Sequence, residues 1–251
     1  MHLNASQASL LLSRLHERIK THRSIEVVLA PNTLVLQPLT LQADRRKFRF
    51  AAQNAYHVDE GAFTGEVSFA MLQDLVHYVI VGHSERRMFF HEDLDIVRDK
   101  VAAAIRNGIS PILCVGETSH ERKNKETKQV IHDQLVTALS DLTSSEVEDV
   151  VIAYEPIWAI STFDGQLAKP DDIKQVINFI RSQIDDLFGK KVSDRMRILY
   201  GGSVDHLIAG GYLSIDGCDG VLVGGASINS HKFAGIVDTA YKQSLGLNSN
   251  G

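Results

Sequence analysis

Two residues suited to acid–base chemistry directly follow apolar runs of the chain. His83 comes after residues 79–82, and Glu155 comes after residues 151–154. A histidine and a glutamate in such places can polarise a carbonyl group and move a proton on the carbon beside it. The chemistry that this pair indicates is proton transfer next to a carbonyl group.

Two glycine pairs also follow apolar runs, at residues 201–202 and 224–225. Glycine has no side chain to block an approaching group, so such turns can present their backbone N–H groups to a phosphate. The glycine pairs therefore indicate an anionic group on the ligand.

Each of these features alone has a simpler structural interpretation. A lone histidine after a strand is usually hydrogen-bonded within the fold, and a glutamate before proline usually lies in a solvated turn. Glycine pairs mostly just form turns. Four such features at four strand ends, in this order, favour one shared site, because α/β folds place their sites at the carboxyl ends of their strands.

The elements that would position these residues alternate along the chain. Seven apolar runs separate longer stretches of helical period, and continuous runs of this kind are typical of parallel strands buried on both faces. The runs are residues 25–30, 48–53, 78–82, 110–115, 150–155, 196–200 and 220–223. The clearest helix begins near Pro170 and ends at Gly189. Without a linker, the alternation predicts one α/β domain over residues 1–251, either a doubly wound sheet or a barrel.

Composition excludes several classes of protein. The chain has 251 residues, of which 44% are hydrophobic and 23% charged, so it is not generally disordered. A net charge of −5 argues against a nucleic-acid partner, which would favour a basic surface. No stretch is long and apolar enough to span a bilayer.

The first 24 residues allow two interpretations. They are rich in Arg, His and Ser and poor in acids, which resembles an organellar transit peptide. The favoured interpretation is an amphipathic first helix, because Leu11, Leu15 and Ile19 recur at four-residue spacing. On that interpretation we expect a cytoplasmic protein.

Several familiar cofactor and metal motifs are absent from the sequence. It contains no G-x-G-x-x-G, P-loop, H-E-x-x-H, C-x-x-C or G-x-S-x-G pattern, and its 11 His residues are scattered. A dinucleotide fingerprint is therefore missing, and a metal site has little support. Cys114 and Cys218 are interpreted as buried core thiols.

Together these motifs resemble the triosephosphate isomerase family. The resemblance is carried by V-G-H-S-E-R-R at 81–87, A-Y-E-P-I-W-A-I at 153–160, I-L-Y-G-G-S-V at 198–204, V-L-V-G-G-A-S at 221–227 and C-V-G-E-T at 114–118. It implies a TIM barrel, a (β/α)8 fold in which eight parallel strands close around packed side chains. It also implies the interconversion of dihydroxyacetone phosphate and glyceraldehyde 3-phosphate, in glycolysis and gluconeogenesis, without a cofactor.

The resemblance assigns roles to individual residues. Glu155 would be the base that shuttles the proton, and His83 the electrophile that stabilises the enediolate. Backbone N–H groups near Ser203, Gly224 and Gly225 would hold the phosphate.

The resemblance also implies a lid segment over residues 156–169, which would close over the substrate. The family's Ala-Ile-Gly-Thr-Gly is Ala-Ile-Ser-Thr-Phe here, ending at Phe163. Ser161 would keep a backbone N–H group for the phosphate, but it lacks the freedom of glycine to adopt positive φ. We therefore expect altered closure kinetics.

The start of the chain departs further from the family pattern. The family begins with a strand that ends in a motif like N-W-K-M, whose Asn and Lys enter the active site, and Met1 falls where the Met of that motif should be. The expectation is a barrel whose first strand is missing from this chain, and Glu85 would lose the Lys as its neighbour. Such a chain should fold poorly and turn over slowly. The natural product would then begin upstream of Met1.

Two alternative functions follow from this departure. A barrel without the catalytic Lys could be a catalytically impaired homologue that acts as a binding or interaction protein. Fold alone does not fix function, so another phosphosugar isomerase is a further alternative, which the His83 and Glu155 motifs disfavour.

The loop from Gln53 to Glu66 resembles the family's dimer loop. It would reach into a second subunit and place Thr64 near the partner's active site. The expected assembly is a homodimer, with a tetramer as the alternative.

Overall fold

The seven predicted apolar runs form the strands of one parallel sheet in a computed structural model that describes residues 1–160, 163 and 166–247. Each strand pairs in parallel with the next one along the chain, from the first to the seventh. The strands are β1 Val28–Leu29, β2 Arg49–Ala52, β3 Tyr78–Val81, β4 Ser110–Val115, β5 Val151–Tyr154, β6 Arg197–Tyr200 and β7 Gly220–Val221.

Side chains alternate between the two faces of the sheet, as the two-residue period of a strand requires. In β4, Ile112 and Cys114 pack on the inner face, in a small cluster that also contains Ala51, Tyr78 and Ala153. The intervening side chains belong to the larger core between strands and helices. The sheet is therefore covered on both faces, which explains its continuous apolar runs.

Helices connect the strands within the described part of the chain. They are α1 Ala5–Arg18, α2 Thr33–Gln42, α3 Phe69–Leu72, α4 Ser84–Phe89, α5 Leu94–Arg106, α6 Ser119–Lys123, α7 Thr127–Leu139, α8 Ser144–Val147, α9 Pro170–Phe188, α10 Lys190–Arg195, α11 Ala209–Leu213 and α12 Ser230–Ser244. Two short 3-10 helices span Ile157–Ala159 and Gly225–Ile228. The predicted helix after Pro170 is confirmed as α9, and Gly189 is its C-cap.

The first helix is confirmed and is an integral part of the packing. Asn4 caps it by accepting the backbone N–H of Gln7, and the Gln7 side chain accepts the N–H of Asn4 in return. Leu12 and Leu15 are buried, and α1 packs against both α2 and α12.

The sheet has two edge strands, β1 and β7, which do not pair with each other in the described residues. Helix α1 packs between the helices that follow these two strands. The fold is thus an α/β barrel lacking one strand, as the sequence predicts.

Two smaller expectations have different outcomes. Cys114 is buried, as predicted, whereas Cys218 is half-buried at the margin of the core because it lies just before the edge strand β7. Among the residues that the structure describes, no helix is long and apolar enough to cross a membrane.

Candidate active site

His83 and Glu155 meet at the carboxyl end of the sheet, where parallel strands bring their following residues together. His83 follows β3 and is the N-cap of α4, while Glu155 follows β5. Their side chains lie 3.1 Å apart, measured from His83 Nε2 to Glu155 Oε1. The Glu155 side chain is only 1% exposed and that of His83 is 26% exposed, so the pair has one buried member and one that solvent reaches.

The backbone of α4 orients the His83 ring. The Glu85 N–H donates to His83 Nδ1 at 3.3 Å, which leaves Nε2 as the nitrogen that carries the proton in the neutral ring. Burial lowers the pKa of His83, but the charge and the hydrogen bond of Glu155 raise it by more. The net pKa of His83 therefore lies above its ordinary value of 6.5.

The Glu155 carboxylate has a second donor. The backbone N–H of Ser84 donates to Oε2 at 3.2 Å, and Ser84 is fully buried. Sequence reasoning did not single out Ser84, although it follows His83 in the same motif. The two carboxylate oxygens are thus held by two consecutive residues of one strand-to-helix turn.

Two glycines make room for Glu155, because a side chain on either one would clash with it. A Cβ on Gly201 would lie 2.7 Å from Glu155 Cγ, and a Cβ on Gly116 would lie 1.9 Å from the Glu155 backbone oxygen. The sequence predicts that the glycine pair at 201–202 presents backbone N–H groups to a phosphate. Gly201 also has a packing role, which is to admit the Glu155 side chain.

Cys114 lies on the inner face of β4 and interacts with the Glu155 carboxylate. Burial, and after it the negative charge of Glu155, raises the pKa of the Cys114 thiol well above its ordinary value. The thiol therefore stays neutral and adds no charge to the site.

The predicted phosphate-binding residues follow β6 and β7. Ser203 donates from both its Oγ and its backbone N–H to the Ala159 oxygen, at 2.7 and 3.0 Å. A Cβ on Gly224 or Gly225 would meet no atom within 4 Å, so open space lies beside both residues. Ser161 lies outside the described residues.

A buried carboxylate lies under the start of the lid segment. Glu117 is 0% exposed and accepts hydrogen bonds from Trp158 Nε1 at 2.9 Å and from the Tyr154 hydroxyl at 3.2 Å. Burial raises the pKa of Glu117 above its ordinary value, despite these donors. Sequence reasoning missed this role, because a single Glu after a strand gives no sign of its partners.

Two supporting residues have different positions relative to the pair. The Glu85 carboxylate lies 4.0 Å from His83 Nδ1 and is 45% exposed, so it adds a weak negative field. Thr64 lies in an exposed part of the loop 53–66. Among the described residues, no group of three His, Cys, Asp or Glu could hold a metal ion.

A parallel sheet wrapped by helices, with a buried Glu–His pair at its carboxyl end, defines an α/β-barrel protein built for proton transfer. A family model described as triosephosphate isomerase matches residues 1–240. Because that match covers nearly the whole chain, the chain belongs to the triosephosphate isomerase family.

Relatives named triosephosphate isomerase agree with this assignment. The one from Carboxydothermus hydrogenoformans is 41% identical over 238 residues, covering 94% of each chain. The one from Chloroherpeton thalassium is 43% identical over 216 residues, covering 86% of this chain and 85% of the relative. The one from Lactiplantibacillus plantarum is 39% identical over 239 residues, covering 95% and 94%.

Proposed function

We propose that this chain interconverts dihydroxyacetone phosphate and glyceraldehyde 3-phosphate, as the names of its relatives suggest. The observation that carries the proposal is the 3.1 Å approach of His83 Nε2 to Glu155 Oε1 at the carboxyl end of the sheet. A pair of this kind suits a reaction that moves a proton between a carbonyl carbon and the carbon next to it. The glutamate can carry the proton, and the histidine can donate a hydrogen bond to the carbonyl oxygen.

The proton balance of the reaction assigns tasks to each residue. The Glu155 carboxylate removes a proton from one substrate carbon, and the same proton returns to the neighbouring carbon. The N–H at His83 Nε2 donates to the substrate oxygen and stabilises the negative charge of the enediolate. The same ring nitrogen relays the second proton of the reaction, which leaves the hydroxyl oxygen of the substrate and is bound by the former carbonyl oxygen in the product. Substrate would take the place of the direct hydrogen bond between the two side chains.

The phosphate would lie over the glycine pair 224–225 and near Ser203. The open space beside Gly224 and Gly225 supports this placement, because backbone N–H groups can be reached there. Ser161 would add a further N–H group from the lid segment.

A coupled assay with glyceraldehyde 3-phosphate tests the proposal. We expect Glu155→Asp to lower kcat by about 10²-fold or more, because the shorter side chain withdraws the base from the reacting carbon. Glu126→Asp is the matched control, since Glu126 is exposed and its side chain makes no capping hydrogen bond. Equal turnover in the two variants would remove Glu155 from the base role.

The alternative function has its own outcome in that assay. The chain is assayed as it stands and with a strand ending in Asn-x-Lys joined ahead of Met1. Turnover in neither form would favour the catalytically impaired barrel that binds a partner instead.

The proposed assembly is a homodimer through the loop from Gln53 to Glu66. The start of this loop is held by Lys100, whose Nζ donates to Asn54 Oδ1 at 2.7 Å. Lys100 also forms an ion pair with Glu92, which follows α4, the helix that His83 caps. The tip of the loop is held by contact of the Tyr56 and Phe63 rings, whose centroids are 4.7 Å apart.

Exposed apolar side chains of the loop, of α4 and of its C-cap support an interface with a second copy. Phe63, Met88, Phe89 and Phe90 are 40 to 64% exposed. Exposed apolar side chains of this kind favour association with a second copy. Thr64→Arg should shift the mass measured by light scattering from dimer to monomer, whereas Ser140→Arg, at an exposed position after α7, should not. A dimer that survives Thr64→Arg would count against this interface.

The proposed location is the cytoplasm. The capped first helix, which packs with one buried face, supports it, because removal of these residues as a transit peptide would strip a helix from the packing between α2 and α12.

A further inference from the structure

Arg122, at the end of α6, contacts the protein on both sides of the lid segment. Its guanidinium carbon lies 4.1 Å from the centroid of the Trp158 ring, which belongs to the 3-10 helix at the start of that segment. Its Nη2 donates to Asp172 Oδ2 at 2.8 Å, in the first turn of α9, where the segment ends. One side chain therefore connects elements separated by the whole segment.

At its first end, Arg122 stacks on Trp158, which is hydrogen-bonded to the buried Glu117 carboxylate. Trp158 Nε1 donates to Glu117 Oε1 at 2.9 Å, and Arg122 Nη1 lies 3.9 Å from the same oxygen. Glu117 is fully buried, so its carboxylate depends on such donors and nearby positive charge. Arg122 thus covers the indole ring and adds positive charge to the carboxylate that the ring contacts.

The Asp172 end is fixed by a long helix. Helix α9 has 19 residues, and Ile173, Ile177 and Ile180 are buried along one face. Asp172 therefore cannot shift without the first turn of α9. Its carboxylate also lies near the positive end of the helix dipole, a position that favours a negative side chain.

We propose that Arg122 is a positioning residue that fixes the two ends of the lid segment relative to each other. It contacts neither His83 nor Glu155 and acts on them through Trp158, three residues after Glu155. The effect on turnover rests on the proposed function, whereas the positioning itself does not. Loss of Arg122 frees the indole ring on one side and the start of α9 on the other.

The simpler interpretation of the Arg122–Asp172 contact is an ordinary surface ion pair. Both side chains are partly exposed, at 35% and 38%, and such pairs often contribute little to stability. The simultaneous stacking on Trp158 distinguishes this arginine, because a planar guanidinium can stack on a ring while its edge donates to a carboxylate. A lysine cannot do both.

The chain contains one tryptophan, so tryptophan fluorescence, excited selectively over the six tyrosines, reports on Trp158 alone. We expect Arg122→Met to shift the emission and to increase quenching by acrylamide, because one face of the ring becomes accessible. Asp172→Asn should shift the emission in the same direction, through release of Arg122. Lys123→Met and Asp171→Asn are the matched controls, since each removes the same charge from an exposed neighbouring position. Both controls should leave the emission unchanged.

The double variant gives the sharpest comparison. If Arg122 carries the coupling, Arg122→Met and Asp172→Asn together should change the fluorescence no more than Arg122→Met alone. An unchanged emission in Asp172→Asn, or an equal change in the Lys123→Met control, would overturn the proposal. Arg122→Lys keeps the charge and serves as the second variant if Arg122→Met fails to fold, with an emission shift again expected.

Kinetics separate this proposal from the proposed function. In a form with measurable turnover, Arg122→Met should lower kcat/KM about threefold to tenfold, mainly through kcat. If neither the unaltered chain nor the chain extended ahead of Met1 shows turnover, the proposed function fails, while the fluorescence still decides the role of Arg122. Normal kinetics together with a normal emission would reject both effects of Arg122.

Discussion

Burial and the neighbouring Glu155 act in opposite directions on the pKa of His83. Burial lowers its pKa, while Glu155 raises it by charge and hydrogen bond, Glu85 adds a smaller increase and Arg87 opposes. Removing the Glu155 charge leaves burial as the largest influence. We therefore expect the pKa of His83 to lie above 6.5 in the unaltered protein and to fall in Glu155→Gln.

NMR titration of the His83 ring measures this directly, with the other histidines as internal controls. The sign of the linked stability follows from the raised pKa. The pair stabilises the fold fully below the ordinary pKa of about 6.5, and that stabilisation is lost as the pH rises through the pKa of the folded state. An unchanged His83 pKa in Glu155→Gln would show that another group sets it.

The position of the Glu155 side chain depends on the absence of a side chain at Gly201. A Cβ there would lie 2.7 Å from Glu155 Cγ, so Gly201→Ala must displace the carboxylate. Misplacement of a catalytic group by 1 Å can cost about 10²-fold in rate, and we expect a loss of that order in kcat. Gly211→Ala is the control, because a Cβ there meets nothing within 4 Å. Normal turnover in Gly201→Ala would mean that the Glu155 side chain has another place to lie.

The sequence predicts residues of the site only where topology alone brings them together. His83 and Glu155 follow strands β3 and β5, and parallel strands place such residues at one edge of the sheet. Ser84, Cys114 and Glu117 could not be predicted, because their roles depend on backbone geometry, sheet face and side-chain direction. The role of Ser161 stays a prediction.

At the scale of elements, apolar runs predict strands better than they predict strand length. The runs at 25–30 and 220–223 give only two residues each in β1 and β7, because an edge strand has a hydrogen-bonding neighbour on one side only. Helices α3 and α8 have four residues each, which is too short for a helical period to be visible in the sequence. Helix α9, with its long apolar face, was predicted with its bounds.

Helix α12 depends on its N-cap residue, Asn229. Asn229 accepts hydrogen bonds from the backbone N–H groups of His231 and Lys232 at the start of α12. Asn229→Ala should lower the free energy of unfolding by about 1 kcal/mol, whereas Asn229→Asp keeps an acceptor and should retain stability. Chemical denaturation measures both variants. Equal losses in Ala and Asp would show that the amide group matters for something other than capping.

At the scale of the whole molecule, α1 packs between two neighbouring helices, as α7 packs between α5 and α9. Helix α1 lies between α2 and α12, which follow the edge strands β1 and β7. Just before α1, the Leu3 oxygen accepts from Asn32 Nδ2 at 3.0 Å, and Asn32 follows β1. The chain therefore enters α1 at the carboxyl end of the sheet, beside its open edge.

These positions predict how the two edges respond to an added strand. A strand joined ahead of Met1 would run parallel to β1 and could pair with both edges, so amide exchange at Val28 and Val221 should slow. The thermal midpoint should rise by about 2–4 °C for each kcal/mol gained in a chain of this size. The same segment with proline at its centre is the control, because proline cannot donate to the sheet. If both segments leave the midpoint and the exchange unchanged, the edges of β1 and β7 do not accept a strand, and the gap between them must close in another way.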